Sequence, residues 1–204
     1  MMKKLLLALV VALSALGAAA QEFRYGPTVG ATLSSLSFKQ DLFEVNAAPG
    51  ASAGLQCEFM FPGIGFGIDF GLVYETRGAK LHLGDRRIWA SQGYTDPRSW
   101  LHYLDIPLHL RFKWTRMNGF EDYAAPFVFA GPSFGFLIGH NRIPALEYAT
   151  GEVGVCVGLG VELLRRWQVS GSYTWGMTYA LKTRLLTDMS AKNRTWDLRV
   201  TYLF

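Results

Sequence analysis

The chain has 204 residues with 20 basic and 16 acidic side chains, which gives a formal charge of +4 at pH 7. Residues 1–20 hold two of the bases and none of the acids, so the remaining 184 residues carry a charge of +2. So small a charge gives no support for a nucleic-acid partner, and the remaining length is usual for one domain.

The first 20 residues have the three parts of a secretory signal peptide. A short basic stretch with Lys3 and Lys4 is followed by an apolar run over residues 5–16 and by three alanines at 18–20. The apolar run is shorter than the roughly 20 residues that a membrane-spanning helix needs. We therefore expect export, with residues 1–20 as the signal peptide and 21–204 as one mature domain.

From Phe23 onward the chain repeatedly alternates apolar and polar residues, which is the pattern of a β-strand with two different faces. Each alternating segment can supply the roughly 9–11 residues of a tilted membrane strand. The eight predicted strands are residues 23–35, 50–61, 64–77, 101–115, 123–139, 152–165, 167–181 and 194–204.

The last segment shows the alternation most clearly and ends in an aromatic residue. Asp197 and Arg199 lie on one face of this strand, opposite a face that is entirely apolar or aromatic. We interpret it as the C-terminal assembly strand of a membrane barrel, recognised by the barrel-assembly machinery during insertion. Its apolar face consists of Trp196, Leu198, Val200, Tyr202 and Phe204.

Alternation alone is also compatible with a soluble barrel, whose apolar side chains point inward. Here the apolar faces carry large aliphatic and aromatic residues, while the polar faces carry glycine and charges of both signs. A narrow lumen accommodates glycine, serine and paired charges more easily than rows of Phe and Trp. The sequence therefore predicts an all-β fold, an eight-stranded antiparallel up-and-down transmembrane β-barrel with its apolar side chains facing lipid.

The predicted connections alternate between long and short, as in outer-membrane barrels with short periplasmic turns and long outer loops. With an even number of strands, both termini are then expected in the periplasm. The fifth segment is the least regular, because Phe127 and Phe129 lie on one face and Phe134 and Phe136 on the other. Its register is left open.

Four stretches resemble the PorT-like outer-membrane β-barrel family. They are YLDIPLHLRFKW at 103–114, AGPSFGFLIG at 130–139, GLGVELLRRWQVSGSYTWGMT at 158–178 and the terminal LRVTYLF. The resemblance covers essentially the whole mature chain, and it implies an eight-stranded barrel in a Gram-negative outer membrane, usually of unassigned role. It carries no catalytic residue or cofactor onto this chain.

The polar faces of the predicted strands bring ionisable side chains into the lumen. Six acids and five permanent bases nearly balance, which favours a closed network of ion pairs because an unpaired buried charge costs several kcal/mol. A proton- or ion-conducting path is the alternative. The predicted interior network is Arg24, Glu58, Asp69, Glu75, Arg77, Asp105, His109, Arg111, Lys113, Glu162, Asp197 and Arg199.

The sequence predicts no catalytic residue, no metal site and no cofactor site. Ser99, His102 and Asp105 lie close in sequence, but positions 102 and 105 differ by an odd number and point to opposite faces of a strand. The four histidines are scattered, without the short repeated spacing of metal ligands.

The predicted outer loops are the expected place for recognition, because loops on a rigid scaffold carry most binding functions. The second and fourth are net basic, which suits the phosphates of outer-membrane lipid and lipopolysaccharide. Aromatic residues there could anchor a protein or glycan partner. The candidate contacts are Arg86, Arg87, Trp89, Tyr94, Lys182 and Arg184.

We therefore expect an integral outer-membrane protein that is not an enzyme and acts as a structural or interaction protein through its outer loops. Three alternatives stay open: a small channel, a lipid-modifying outer-membrane enzyme and a soluble periplasmic ligand-binding barrel.

Overall fold

The computed structural model describes residues 22–38, 45–63, 65–81, 98–141, 146–183 and 190–204. Within these ranges a 3-10 turn at Phe120–Asp122 precedes the fifth strand, and no helix has the length and apolar character to cross a membrane. The strands are β1 (Glu22–Phe38), β2 (Val45–Met60), β3 (Phe66–Leu81), β4 (Arg98–Lys113), β5 (Ala124–His140), β6 (Leu146–Tyr148), β7 (Gly151–Leu163), β8 (Trp167–Gly176), β9 (Leu181–Thr183) and β10 (Ser190–Tyr202).

Eight long strands form a closed antiparallel barrel. Their order is β1-β2-β3-β4-β5-β7-β8-β10, and β10 pairs back with β1 from Thr28 opposite Thr201 to Phe38 opposite Ala191. Closure leaves no long strand with an unpaired edge, which removes the main route to strand-by-strand aggregation. The predicted eight-stranded barrel is confirmed.

The barrel has a turn end, with the connections 61–65, 114–123 and 164–166, and a loop end, where the other connections lie. At the loop end the short strand β9 pairs with both β10 and β6. Several long strands also extend further toward this end than predicted: β1 continues to Phe38, and β2 begins at Val45. Alternation fades there in the sequence, so periodicity underestimates the strand length.

The outward face of the barrel is apolar and the inward face is polar. Leu159 and Leu198 are 67% and 59% exposed, whereas Glu58 and Arg111 are 0% and 1% exposed. A soluble barrel would show the opposite arrangement. The two cysteines are free and lie on different faces, Cys57 outward on β2 and the buried Cys156 inward on β7.

Aromatic rings join the strands across the seam where the barrel closes at the turn end. The ring of Tyr25 lies 5.9 Å from that of Phe204, which lies 5.2 Å from Tyr202. Tyr202 in turn lies 4.9 Å from Trp167 on β8. Aromatic residues favour the boundary between lipid and water, so this row marks one membrane interface.

The structure resolves the register of the fifth strand. Phe127 and Phe129 point into the lumen, while Phe134 and Phe136 are exposed to lipid. The inward rings face glycines on the neighbouring strand: Phe127 is paired with Gly160, and Phe129 with Gly158. The strand β5 can carry large side chains on both faces because the paired residues on the inner face of β7 are glycines.

We expect the substitution Gly158→Val to destabilise the barrel by about 1–3 kcal/mol, the usual cost of overpacking. A Cβ at this position would lie 2.3 Å from the ring of Phe129. Urea unfolding in lipid vesicles, followed by tryptophan fluorescence, measures the change.

Gly171→Val is the matched control, because nothing lies within 4 Å of a Cβ at Gly171. Equal stability losses for the two variants would contradict the assigned inward packing of Phe129.

Candidate functional site: the charged lumen

The first group of buried charges lies near the turn end and centres on Glu58. Its Oε1 accepts hydrogen bonds from Arg24 Nη2 and Lys113 Nζ, both at 2.5 Å. Its Oε2 accepts from Arg111 Nη1 and Gln168 Nε2, also at 2.5 Å. Each carboxylate oxygen thus has two donors, which offsets the cost of burying the charge.

The other members of this turn-end cluster complete its charge balance. Glu162 accepts from Lys113 Nζ at 2.7 Å and from Arg24 Nη2 at 2.9 Å. Asp69 accepts from Arg111 Nε at 2.7 Å, and the Arg111 guanidinium lies 4.0 Å from the centre of the Phe127 ring. Three carboxylates therefore meet three bases: Glu58, Asp69 and Glu162 against Arg24, Arg111 and Lys113.

A second group of charges, the loop-end cluster, lies closer to the loop end of the lumen. Arg77 donates from Nε to Glu75 at 2.8 Å and from Nη2 to Asp105 at 3.1 Å. Arg199 donates from Nε to Asp197 at 3.0 Å, and its Nη2 pairs with Glu75.

This loop-end cluster has more acids than bases. Glu152 joins it, with Oε2 3.7 Å from Arg77 Nη1 and a hydrogen bond from Asn193. Ser133 Oγ lies 2.6 Å and 2.8 Å from the two oxygens of Asp105. Four carboxylates meet two guanidiniums, so the cluster has a formal charge of −2, in contrast to the neutral turn-end cluster.

A small cavity of about 10 Å³ separates the two clusters. Asp69 and His109 line it, and among the described residues neither Asp69 Oδ1 nor His109 Nε2 has a hydrogen-bond partner. This volume is about the minimum that admits one water molecule, which the two polar atoms would hydrogen-bond. Where the chain is described, the lumen is thus filled at two levels, with room for about one water between them.

The cavity at the turn end is larger, about 730 Å³, and is the mouth of the lumen. Arg24, Lys113 and Glu162 line its inner side, and the exposed ion pair of Arg165 with Asp122 lies at its rim. The mouth therefore ends at the turn-end cluster.

The structure places all twelve predicted interior residues on the inner face, eleven in the two clusters and His109 between them. Glu152, the first inward residue of β7, was not among the predicted interior residues. The alternation of the strand indicates its inward orientation, because Glu152 is an even number of positions from Gly154 and Cys156, which point inward.

The three residues that lie close in sequence, Ser99, His102 and Asp105, do not form a catalytic arrangement in the structure. Ser99 and Asp105 point inward, whereas His102 points outward and its Nδ1 lies 2.7 Å from Tyr74 Oη. Within the described ranges, no three His, Cys, Asp or Glu side chains are placed to hold a metal ion.

Most of the candidate outer-loop contacts lie outside the described residues: Arg86, Arg87, Trp89, Tyr94 and Arg184. For Lys182 the structure describes the backbone, which lies in β9 opposite Ser190.

We expect Glu58→Gln to lower the free energy of unfolding by about 3–5 kcal/mol, the usual effect of breaking a buried ion pair. The amide would leave three cations facing two carboxylates. Urea unfolding in lipid vesicles measures the loss.

Glu152→Gln is the matched comparison, and we expect a change of less than about 1 kcal/mol, because it reduces an excess of negative charge and keeps an acceptor for Asn193. If Glu152→Gln destabilised the barrel as much as Glu58→Gln, the assigned charge imbalance would be wrong.

Solved structures of outer-membrane barrels are similar to this one. OprG from Pseudomonas aeruginosa aligns with a TM-score of 0.56 and 13% identity, over 89% of this chain and 95% of that chain. Ail of Yersinia pestis, in complex with the heparin analogue sucrose octasulfate, aligns with a TM-score of 0.45 and 16% identity, over 90% and 99%. The outer membrane enzyme PagL aligns with a TM-score of 0.42 and 9% identity, over 85% and 98%. At such identities the likeness concerns the fold alone.

No curated protein matches the chain in sequence. Residues 19–181 match a family model described as the outer membrane protein beta-barrel domain. This match supports the general family that the PorT-like resemblance implied. With its closed barrel and apolar exterior, the chain belongs to the outer membrane protein beta-barrel domain family and is an integral outer-membrane protein.

Proposed function

We propose that this protein is a non-enzymatic barrel of PorT-like type that binds a partner at the cell surface through its loop end. The observation that carries the proposal is the filling of the lumen by two clusters of buried, mutually paired charges. An interior occupied in this way serves as a scaffold, so binding is assigned to the ends. The two shortest connections, 61–65 and 164–166, both lie at the turn end, which supports a loop end outside the cell and periplasmic termini.

The loop end has the form of a rigid platform. The strands β1 to β4 have 16 or 17 residues each, more than the roughly 9–11 that cross a membrane. The short strands β6 and β9 add to the sheet there. The exposed His140 stacks on Tyr148, with ring centres 4.0 Å apart.

The charge of this end favours an anionic partner. The candidate residues Arg86, Arg87, Lys182 and Arg184 outnumber the acids near them in the sequence, and Lys192 and Arg194 continue the basic character on β10. Trp89 and Tyr94 would supply aromatic anchors. We assign a polyanionic glycan or acidic protein as partner, beside the phosphates of surrounding lipopolysaccharide. The barrel-assembly machinery remains the proposed partner during insertion, through the C-terminal strand.

We expect the double substitution Arg86→Gln and Arg87→Gln to weaken the attachment of intact cells that display the protein to immobilised heparin, used as a polyanion probe. Removing two charges at the binding surface lowers the electrostatic attraction, which is strongest at low salt. Attachment is measured between 0.05 and about 0.3 M NaCl, a range over which screening changes markedly.

The matched control is Arg116→Gln with Arg165→Gln, which removes two exposed charges at the turn end. Heat-modified gel mobility confirms that every variant is a folded barrel. An equal loss of attachment in the control, or no loss in the Arg86 and Arg87 variant, would overturn the proposal.

The closed lumen gives a separate prediction, which distinguishes a scaffold from a small channel. We expect little steady conductance in planar lipid bilayers for the wild-type barrel and a higher conductance for Arg111→Ala or Arg199→Ala, because each removes a cation that joins two carboxylates. Arg165→Gln, at the exposed rim, is the control. A wild-type current as large as that of the variants would favour a channel.

A further inference from the structure

The lipid-facing wall contains an apolar groove of about 560 Å³. The wall is recessed here because the outward residues are small: Ala130 on β5 and Gly171 on β8, where a Cβ would meet nothing within 4 Å. Trp175 and Trp196 form one side of the groove, and Phe112 lies toward the other end.

The groove extends along the outer wall from the turn end toward the loop end. Phe66, at one end, is the first residue of β3 and follows a short turn. Trp175, at the other, is next to the last residue of β8. Between them the row of paired residues Leu110, Ala130, Val157, Tyr173 and Trp196 crosses five strands. At about 4.8 Å per strand spacing, the row is on the order of 19 Å long, which suits an extended acyl chain.

Two outward-facing cations lie at the loop end of this groove. Arg194 is the register partner of Trp175 and lies two residues before Trp196 on β10, so it lies next to two residues that line the groove. The ammonium of Lys192, the next outward residue, lies 5.5 Å from the centre of the Tyr179 ring. Neither cation has a carboxylate partner among the described residues.

We propose that this groove binds one phosphorylated, acylated lipid of the outer leaflet, with an acyl chain along the groove and a phosphate at Arg194 and Lys192. The apolar lining matches a hydrocarbon chain, and the cations match an anionic headgroup, so chain and headgroup are recognised by adjacent parts of one site. The site lies on the wall below the loops. Its apolar groove uses none of the loop residues assigned to partner binding, and its two cations, Arg194 and Lys192, also belong to the basic surface of the loop end.

The experiment is native mass spectrometry of the refolded barrel, released from detergent in the presence of lipid A or of lipid A without its phosphates. We expect the wild type to retain lipid A more strongly than the dephosphorylated form. Arg194→Gln with Lys192→Gln should weaken retention of lipid A roughly tenfold, or about 1.4 kcal/mol, and remove the preference for phosphate. Gly171→Phe, which fills the groove, should weaken retention of both forms.

The controls are Lys80→Gln and Ala53→Phe, exposed outward positions on β3 and β2 that do not line the groove. They should retain both lipids as the wild type does. Equal losses in the controls, or full retention by Gly171→Phe, would overturn the proposal. Dimers that form in the wild type and disappear in Gly171→Phe, with lipid retention unchanged, would instead make the groove an interface between two copies.

Discussion

The structure depends on one constraint, which is that a barrel of eight strands encloses a lumen only wide enough for its own side chains. Outside, the hydrocarbon of the membrane requires apolar residues, so charged side chains at that depth must point inward. A charge in that lumen is removed from water and has to find its partners among its neighbours. Glu58, with two donors on each oxygen, is the position where this requirement is met most completely.

The same constraint explains where glycine and aromatic residues occur on the inner face. Phe127 and Phe129 enter a lumen already crowded by charged side chains, and they fit because Gly160 and Gly158 lie directly opposite on β7. Phe127 also covers the guanidinium of Arg111, so an apolar ring becomes part of the packing around an ion pair. In this interior, the packing of the aromatic rings and the pairing of the charges therefore depend on each other.

Much of this arrangement follows from the sequence, because strand periodicity places each side chain on one of two faces. The closed barrel and the orientation of Asp105 and Asp197 come from that rule alone. Alternation does not reveal which inward charges lie at the same height, since that depends on the stagger between strands; Arg24 meets Glu162 across 138 residues of sequence. Nor does it mark strand ends: β1 continues to Phe38 and β2 begins at Val45, beyond the predicted 23–35 and 50–61.

The two clusters differ in a way that bears on function. The turn-end cluster is neutral, and the aromatic seam from Tyr25 to Trp167 lies at the same end of the barrel. The loop-end cluster carries excess negative charge beneath a basic surface that includes Arg194 and Lys192. Stability in proteins is unevenly distributed, and binding regions are drawn from its less stable parts. This difference is consistent with the proposed binding at the loop end, because the firmly paired charges of the turn-end cluster stabilise the part of the barrel that anchors it in the membrane.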